Sequence, residues 1–495
     1  MRPRVIRRLV VVVLLPVAVG GACHVDDGVG SMSRTGEILL EPFEPAPLEW
    51  EECGGQECAT LVVPMDHASP NGPTVEVALA RIRAAVEPRI GMLVLNPGGP
   101  GGSGIEMLEW MGHWLADPAF LGRFDLVGFD PRGVGRSTLV RCMDDFDDEI
   151  AVLEPGDGLD VVMADAEERV ADCLERSGDL VHHVGTNAVA RDIDMIRRAM
   201  GEEQISYLGY SYGTRLGAVY AALFGDRVRA MVLDGPVDPT ERVSRPSRAQ
   251  ADGFEASWAA FAEACDAEPA CPLNTVGGPE QAFAAAVAVV SAAPVPAGER
   301  RLTNGEFYLG VGAALYSPLS WSMLGEGLEE IVAEGTGTVL QDLGDVLVGR
   351  RDDGSYDGSM DARFLVDCAD DPERPPPGEV FDATTAIADT LAHFGPAYAG
   401  SVGCYPLPAA VDPLHIGPVE LAVPALVVYL EGDPATPPAW AEALADVLGD
   451  AVVVSSDAEG HGAYMANSWC LTGPVTDYLV ELVVPVDGWS CVESD

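Results

Sequence analysis

The chain has 495 residues and sets 29 basic residues, all arginine, against 78 acidic ones, a formal net charge of −49. That balance argues against duplex nucleic acid as a partner, because binding it needs cationic side chains to neutralise phosphates, and it implies an acidic, solvated surface instead. With 48% hydrophobic and 22% charged residues the composition is globular, and the length allows one catalytic domain enlarged by an insertion.

Arg2, Arg4, Arg7 and Arg8 precede an apolar run from Leu9 to Val19, followed by Gly20, Gly21, Ala22 and Cys23. Residues 1–22 therefore read as a secretory signal peptide. The run is shorter than the ~17 to 25 residues of a spanning helix, and no later segment is long and apolar enough to replace it. Cys23 resembles the lipid-modified cysteine of bacterial lipoproteins, with Gly20 where that motif usually carries an aliphatic residue. Setting Cys23 aside, 11 cysteines become ten, an even set suited to disulfides in an oxidising compartment. Neighbour pairing would join Cys53 with Cys58, Cys142 with Cys173, Cys265 with Cys271, Cys368 with Cys404, and Cys470 with Cys491; spacing alone leaves other connectivities open.

Residues 23–49 are polar and then rich in Pro and Glu, as in a tether, and the fold is expected to begin near Trp50. Short apolar runs at Ala59–Val63, Val75–Ile82, Met92–Leu95 and Phe124–Phe129, bounded by Pro, Gly or Asp, read as strands. Val189, Ile193, Ile196 and Met200 recur at helical spacing after a candidate cap at Thr186, and the strand Ile205–Leu208 follows. A second helical pattern at Leu216, Val219, Tyr220 and Leu223 leads to a strand at Ala230–Leu233. Alternating strand and helix predicts a mostly parallel sheet over 50–236 with helices on its faces. Over 237–417 the alternation fades into Ala-rich helical stretches, a Gly-rich region and a Pro-rich segment, as expected of a largely helical inserted lid. The α/β pattern resumes over 418–495 with Ala425–Leu430 and Ala451–Ser455.

Gly209-Tyr-Ser-Tyr-Gly213 lies between a strand and a helix, where a sharp turn lifts the Ser211 hydroxyl out of the sheet. A serine is a weak nucleophile without a base and an orienting acid. Asp433 and His461 each follow a predicted strand, in the chain order Ser, Asp, His of an α/β-hydrolase triad. Glu431, Asp457 and Glu459 compete for the acid role; Asp433 is preferred, with Glu431 second. Acyl transfer also needs backbone donors for the developing oxyanion. Tyr212 N–H supplies one, and the glycine loop after Met92–Leu95 supplies the other from Gly99 or Gly98, since Pro97 and Pro100 have no N–H.

Pro97-Gly-Gly-Pro-Gly101, Asp130-Pro-Arg-Gly-Val-Gly-Arg-Ser137, Gly209-Tyr-Ser-Tyr-Gly213, Asp234-Gly-Pro236, Gly432-Asp-Pro434 and Gly460-His-Gly462 together resemble the exported tripeptidyl aminopeptidases of actinobacteria, relatives of prolyl aminopeptidase, from about Trp50 to the C-terminus. Prolyl aminopeptidases have His where this chain has Pro97. The resemblance implies an α/β-hydrolase fold with a helical lid and a C-terminal region of tripeptidyl-aminopeptidase type. It implies peptide substrates, with short peptides released from free N-termini, and a structural role for the Asp130–Ser137 loop. Glu241, Glu255 and Glu263 in the insertion are candidates to pair with the substrate ammonium. The scattered histidines show no metal-ligand spacing and neither glycine loop is a nucleotide motif, so no metal or cofactor is implied. An esterase on the same triad, or a ligand-binding lipoprotein with a dead hydrolase fold, remain the alternatives.

Overall fold

The computed structural model describes residues 43–143, 158–245 and 247–493. The signal-peptide reading, Cys23 and most of the tether lie outside the described residues. Its frame is a ten-stranded sheet built from β1 (Glu51–Cys53), β2 (Gln56–Pro64), β3 (Thr74–Ile82), β4 (Gly91–Asn96), β5 (Phe124–Phe129), β6 (Ile205–Tyr210), β7 (Val228–Asp234), β10 (Ala425–Gly432), β11 (Ala451–Glu459) and β12 (Trp489–Cys491), in the order β1-β2-β3-β5-β4-β6-β7-β10-β11-β12. β1, β2, β3 and β5 pair antiparallel, and every pairing from β5 through β12 is parallel.

The central strands β4 and β5 are buried along their whole length, as parallel strands covered on both faces must be. Alternation sorts their side chains between two cores. Met92 and Val94 join the helices α3 (Thr186–Met200) and α4 (Tyr212–Phe224) through Val189, Ile193, Leu216 and Val219. Leu93 and Leu95 join α1 (Gly104–Leu115) and α13 (Thr472–Glu481) through Ile105, Leu108, Val475 and Leu479. The helix α2 (Leu159–Ser177) and α12 (Ala439–Leu448) complete the layers around the sheet.

Between β7 and β10 the chain forms a helical lid, with α5 (Arg248–Ala267), α6 (Pro279–Ala292), α7 (Asn304–Leu315), α8 (Trp321–Glu329), α9 (Thr338–Val348), α10 (Ser359–Asp370) and α11 (Pro377–Ala388). It has a core of its own, centred on Trp258, Phe261, Phe283, Phe307, Leu324 and Leu340. A small antiparallel pair, β8 (Val295–Ala297) and β9 (Arg300–Leu302), interrupts the helices in a region expected to be helical. The Pro-rich segment ends by starting α11, whose first residue is Pro377, a position where a missing N–H costs nothing.

Thr186 is not the cap of α3. Gly185 occupies that position, and the Thr186 hydroxyl donates instead to Asp370 at 2.6 Å and lies 2.5 Å from the Tyr212 hydroxyl, so a tertiary partner outcompetes the local one. Order also begins before Trp50, because Arg198 holds the Phe43 carbonyl at 3.2 Å and the Glu44 carboxylate. All ten cysteines after Cys23 are joined as the five neighbouring pairs, consistent with a chain exported to an oxidising compartment. No helix among the described residues is long and apolar enough to cross a membrane.

Candidate active site

Ser211 stands where β6 turns into α4, at φ 55° and ψ −125°, a backbone conformation rarely adopted by a residue with a side chain. The turn holds because three bonds pin it: Ser211 N donates to the Asp234 carbonyl at 2.9 Å, and the Ser211 carbonyl accepts from Thr214 N at 2.8 Å and Thr214 Oγ1 at 2.6 Å. It also requires Gly209, since a Cβ there would stand 2.5 Å from the Gly213 carbonyl oxygen.

The loop after β4 lies against this turn. A Cβ on Gly98, whose φ is +97°, would meet Tyr210 O at 2.5 Å and Ser211 Cβ at 2.8 Å. Only glycine permits that approach. The Gly98 N–H is already donated to Asn96 Oδ1 at 3.0 Å, which removes Gly98 from the two oxyanion candidates. Gly99 and Tyr212, whose N–H groups have no protein acceptor among the described residues, border the same cavity as Ser211.

Asp433 and His461 are brought together by the ends of β10 and β11. His461 Nδ1 lies 2.9 Å from Asp433 Oδ2 and 3.0 Å from Oδ1. The carboxylate is buried and further held by Ala435 N at 2.9 Å, Thr436 N at 2.8 Å and Thr436 Oγ1 at 2.8 Å. Burial opposes protonation of the ring, but the charge and hydrogen bond of Asp433, with the more distant charge of Asp234, outweigh it and raise the pKa of His461 above the ordinary 6.5. Glu431, the rival acid, is exposed and among the described residues accepts only from the Tyr429 hydroxyl at 3.2 Å.

Two residues that the sequence did not assign organise this geometry. Asp234, fully buried at the end of β7, accepts from Ala463 N at 2.8 Å and Tyr464 N at 2.7 Å, so one residue fastens the serine turn by its carbonyl and the histidine loop by its carboxylate. Burial raises its pKa to about 6 although both backbone donors pull it down. From the lid, Tyr316 accepts His461 N on its carbonyl at 2.7 Å and sets its ring at right angles to the imidazole, 5.3 Å between centroids. The signal for Asp234 was visible in Asp234-Gly-Pro236 at a strand end. A backbone acceptor such as Tyr316 leaves no trace in sequence.

A cavity of about 320 Å³ lies between this turn and the lid. Of the three acids expected to face it, only Glu241 does, with its carboxylate accepting from Ser247 Oγ at 3.1 Å. Glu255 is consumed inside the lid, accepting from His393 N at 2.8 Å and Phe394 N at 3.0 Å and pairing with His393 Nδ1 at 2.7 Å. Glu263 is exposed and is not part of the cavity wall. Both misplacements have one cause: helical spacing does not tell a cavity-facing glutamate from one turned to solvent or to a neighbouring helix. The cavity instead gains Asp367, Asp370 and Asp371 from the end of α10. Asp370 is occupied by Thr186 N at 2.7 Å and Thr186 Oγ1, and Asp371 by Ser244 N at 3.0 Å and Glu373 N at 2.8 Å. The Asp367 carboxylate accepts no hydrogen bond among the described residues; its nearest cation is Arg215, 3.9 Å away.

Comparison with known proteins places this arrangement. Residues 91–275 match the α/β hydrolase fold family and residues 392–491 the TAP-like protein family. "Serine protease Hip1" of Mycobacterium tuberculosis is 34% identical over 94% of this chain and 94% of its own length. "Tripeptidyl aminopeptidase" of Streptomyces lividans is 38% identical over 46% of this chain and 45% of its own. The chain belongs to the α/β hydrolases of tripeptidyl aminopeptidase type. A further relative of this hydrolase, "Carboxylesterase B" of Mycobacterium tuberculosis, is 36% identical over 88% of this chain and 86% of its own.

Proposed function

We propose that this serine hydrolase is an exopeptidase that releases short peptides, tripeptides in the family's manner, from free N-termini. Ser211 Oγ attacks the peptide carbonyl as His461 takes its proton, Asp433 orients and stabilises the imidazolium, and the oxyanion forms against the N–H groups of Gly99 and Tyr212. The tetrahedral intermediate collapses with a proton passed from His461 to the leaving amine, and water then hydrolyses the acyl-enzyme. The observation that carries the reading is the cavity at Ser211, walled by lid residues and lined by carboxylates, one of which, Asp367, accepts no hydrogen bond among the described residues and has Arg215 3.9 Å away. Such a site suits a substrate ammonium. We assign that ammonium to Asp367 and Glu241.

Acetylating the N-terminus of a good peptide substrate is expected to lower kcat/KM by at least about 100-fold, the scale of losing a charge-assisted bond in a sheltered site. Equal rates on the acetylated peptide, with faster turnover of simple esters, would instead establish the esterase that the likeness to carboxylesterase B favours. The base role of His461 carries its own expectation. Its raised pKa means the neutral, active form is lost as pH falls, so the acid limb of kcat/KM should lie above pH 6.5, and Asp433→Asn should move it to lower pH while slowing turnover. An acid limb that Asp433→Asn leaves in place would refute the pairing.

Export by the signal peptide 1–22 and acylation of Cys23 complete the proposal. Metabolic labelling with a fatty-acid analogue should mark the wild-type chain and not Cys23→Ala.

A further inference from the structure

The acidity of the chain makes a free arginine conspicuous: most described arginines lie within 4 Å of a carboxylate, as Arg81, Arg89, Arg132 and Arg300 do. Arg363 is exposed and has no hydrogen bond or ion pair among the described residues, and it lines the same cavity as Ser211. It lies on α10 four residues before Asp367, one helical turn away and on the same face. Its charge acts on Asp367 and on the phenols of Tyr316 and Tyr398, which line the cavity with it. Tyr316 is the residue whose carbonyl holds His461, so this cation shares a wall with a residue that restrains the proposed base. A second guanidinium on the cavity wall is also short of partners: Arg215 is 8% exposed and its Nε has none.

We propose that Arg363 is a specificity determinant that takes a carboxylate of the substrate, so that the cavity selects short peptides carrying an anionic group as well as a free ammonium. The proposal deepens the peptidase reading and rests on it for the ammonium, but the arginine's part can be tested apart. A planar guanidinium offers a carboxylate two parallel charge-assisted bonds, whereas an amide of the same shape can accept only on one oxygen and carries no charge. Arg363 stands at the exposed edge of the cavity, where its donors stay open to an incoming group. The acids beside Arg363 do not fill this role, because Asp370 and Asp371 are bonded elsewhere and Asp367 forms no hydrogen bond to it. Two carboxylates could serve, an acidic side chain near the scissile bond or the C-terminus of a very short peptide.

The test is kcat/KM on tetrapeptides with free N-termini, with Gln exchanged for Glu at each position in turn, and on one parent peptide as C-terminal acid and amide. Wild type should favour the carboxylate about tenfold or more in at least one pair, and the pair that responds identifies which carboxylate is bound. Arg363→Gln should erase that ratio, Arg363→Lys should restore part of it, and Arg363→Glu should turn the preference at that position towards Lys, with melting temperatures compared to confirm folding. Ratios within about twofold in every wild-type pair, or a preference that survives Arg363→Gln, would overturn the assignment. Should no peptide be cut while esters are, the peptidase reading fails separately. Glutamyl and glutaminyl aryl esters then give the ratio, and its dependence on Arg363 decides the proposal in the same way.

Discussion

Replacing Ser211 by alanine is expected to lower kcat by about 10⁴- to 10⁶-fold while the protein still folds, and His461→Ala should do nearly the same, because nucleophile and base act as one unit. Ser211 Oγ makes no hydrogen bond that supports the fold among the described residues, so its loss removes chemistry and leaves the turn pinned by Asp234 and Thr214. Asp433→Asn should cost about 10⁴-fold, since the amide cannot stabilise the imidazolium and favours the wrong tautomer. Glu431→Gln should stay within about twofold of wild type, its carboxylate being exposed and bonded only to Tyr429. Single-turnover kinetics and fluorophosphonate labelling read all four variants. A crippled Glu431→Gln beside a healthy Asp433→Asn would transfer the acid role.

The largest loss of stability is expected from Asp192→Ala, about 3 to 5 kcal/mol in denaturant unfolding. Arg132, from the Asp130–Ser137 loop, and Asp192, on α3, have fully buried side chains joined by two bonds of 2.7 Å. The remaining guanidinium donors reach Met65 O at 2.6 Å, Pro64 O at 2.9 Å and His183 O at 3.0 Å, and His67 Nε2 lies 2.9 Å from the carboxylate. Removing the aspartate strands a buried cation; replacing both partners with apolar residues should recover much of the loss. Burial opposes ionisation of Asp192, but Arg132 and His67 outweigh it and hold the carboxyl below its ordinary 3.8. Its contribution is therefore full above that pH and lost as the pH falls through the lower folded value. Wild-type-like unfolding of Asp192→Ala would show that the network is dispensable.

The parts of the site carried by strand ends were legible in sequence. Ser211, Asp433 and His461 each follow a short apolar run bounded by turn residues, which reads as a strand, and a polar residue among glycines at such an end has few structural uses. The disulfides were legible because each partner lies within 36 residues of the other. The lid was not. Glu241 lies in a connection and Glu255 and Asp367 on helices, and only packing decides that Glu241 and Asp367 face the cavity while Glu255 caps the turn at His393. Thr186 departs from its expected capping role for a related reason: a hydroxyl able to cap a helix serves equally well to hold Asp370.

The hydrogen bond from His461 to Tyr316 crosses from the last third of the chain to the insertion. Lifting that part of the insertion away from the sheet has to break the bond, and with it one of the restraints that aim the imidazole. Asp433 and Asp234 would still hold the ring and its loop, so a cleft widened at this edge is a cleft whose base has lost one of several restraints.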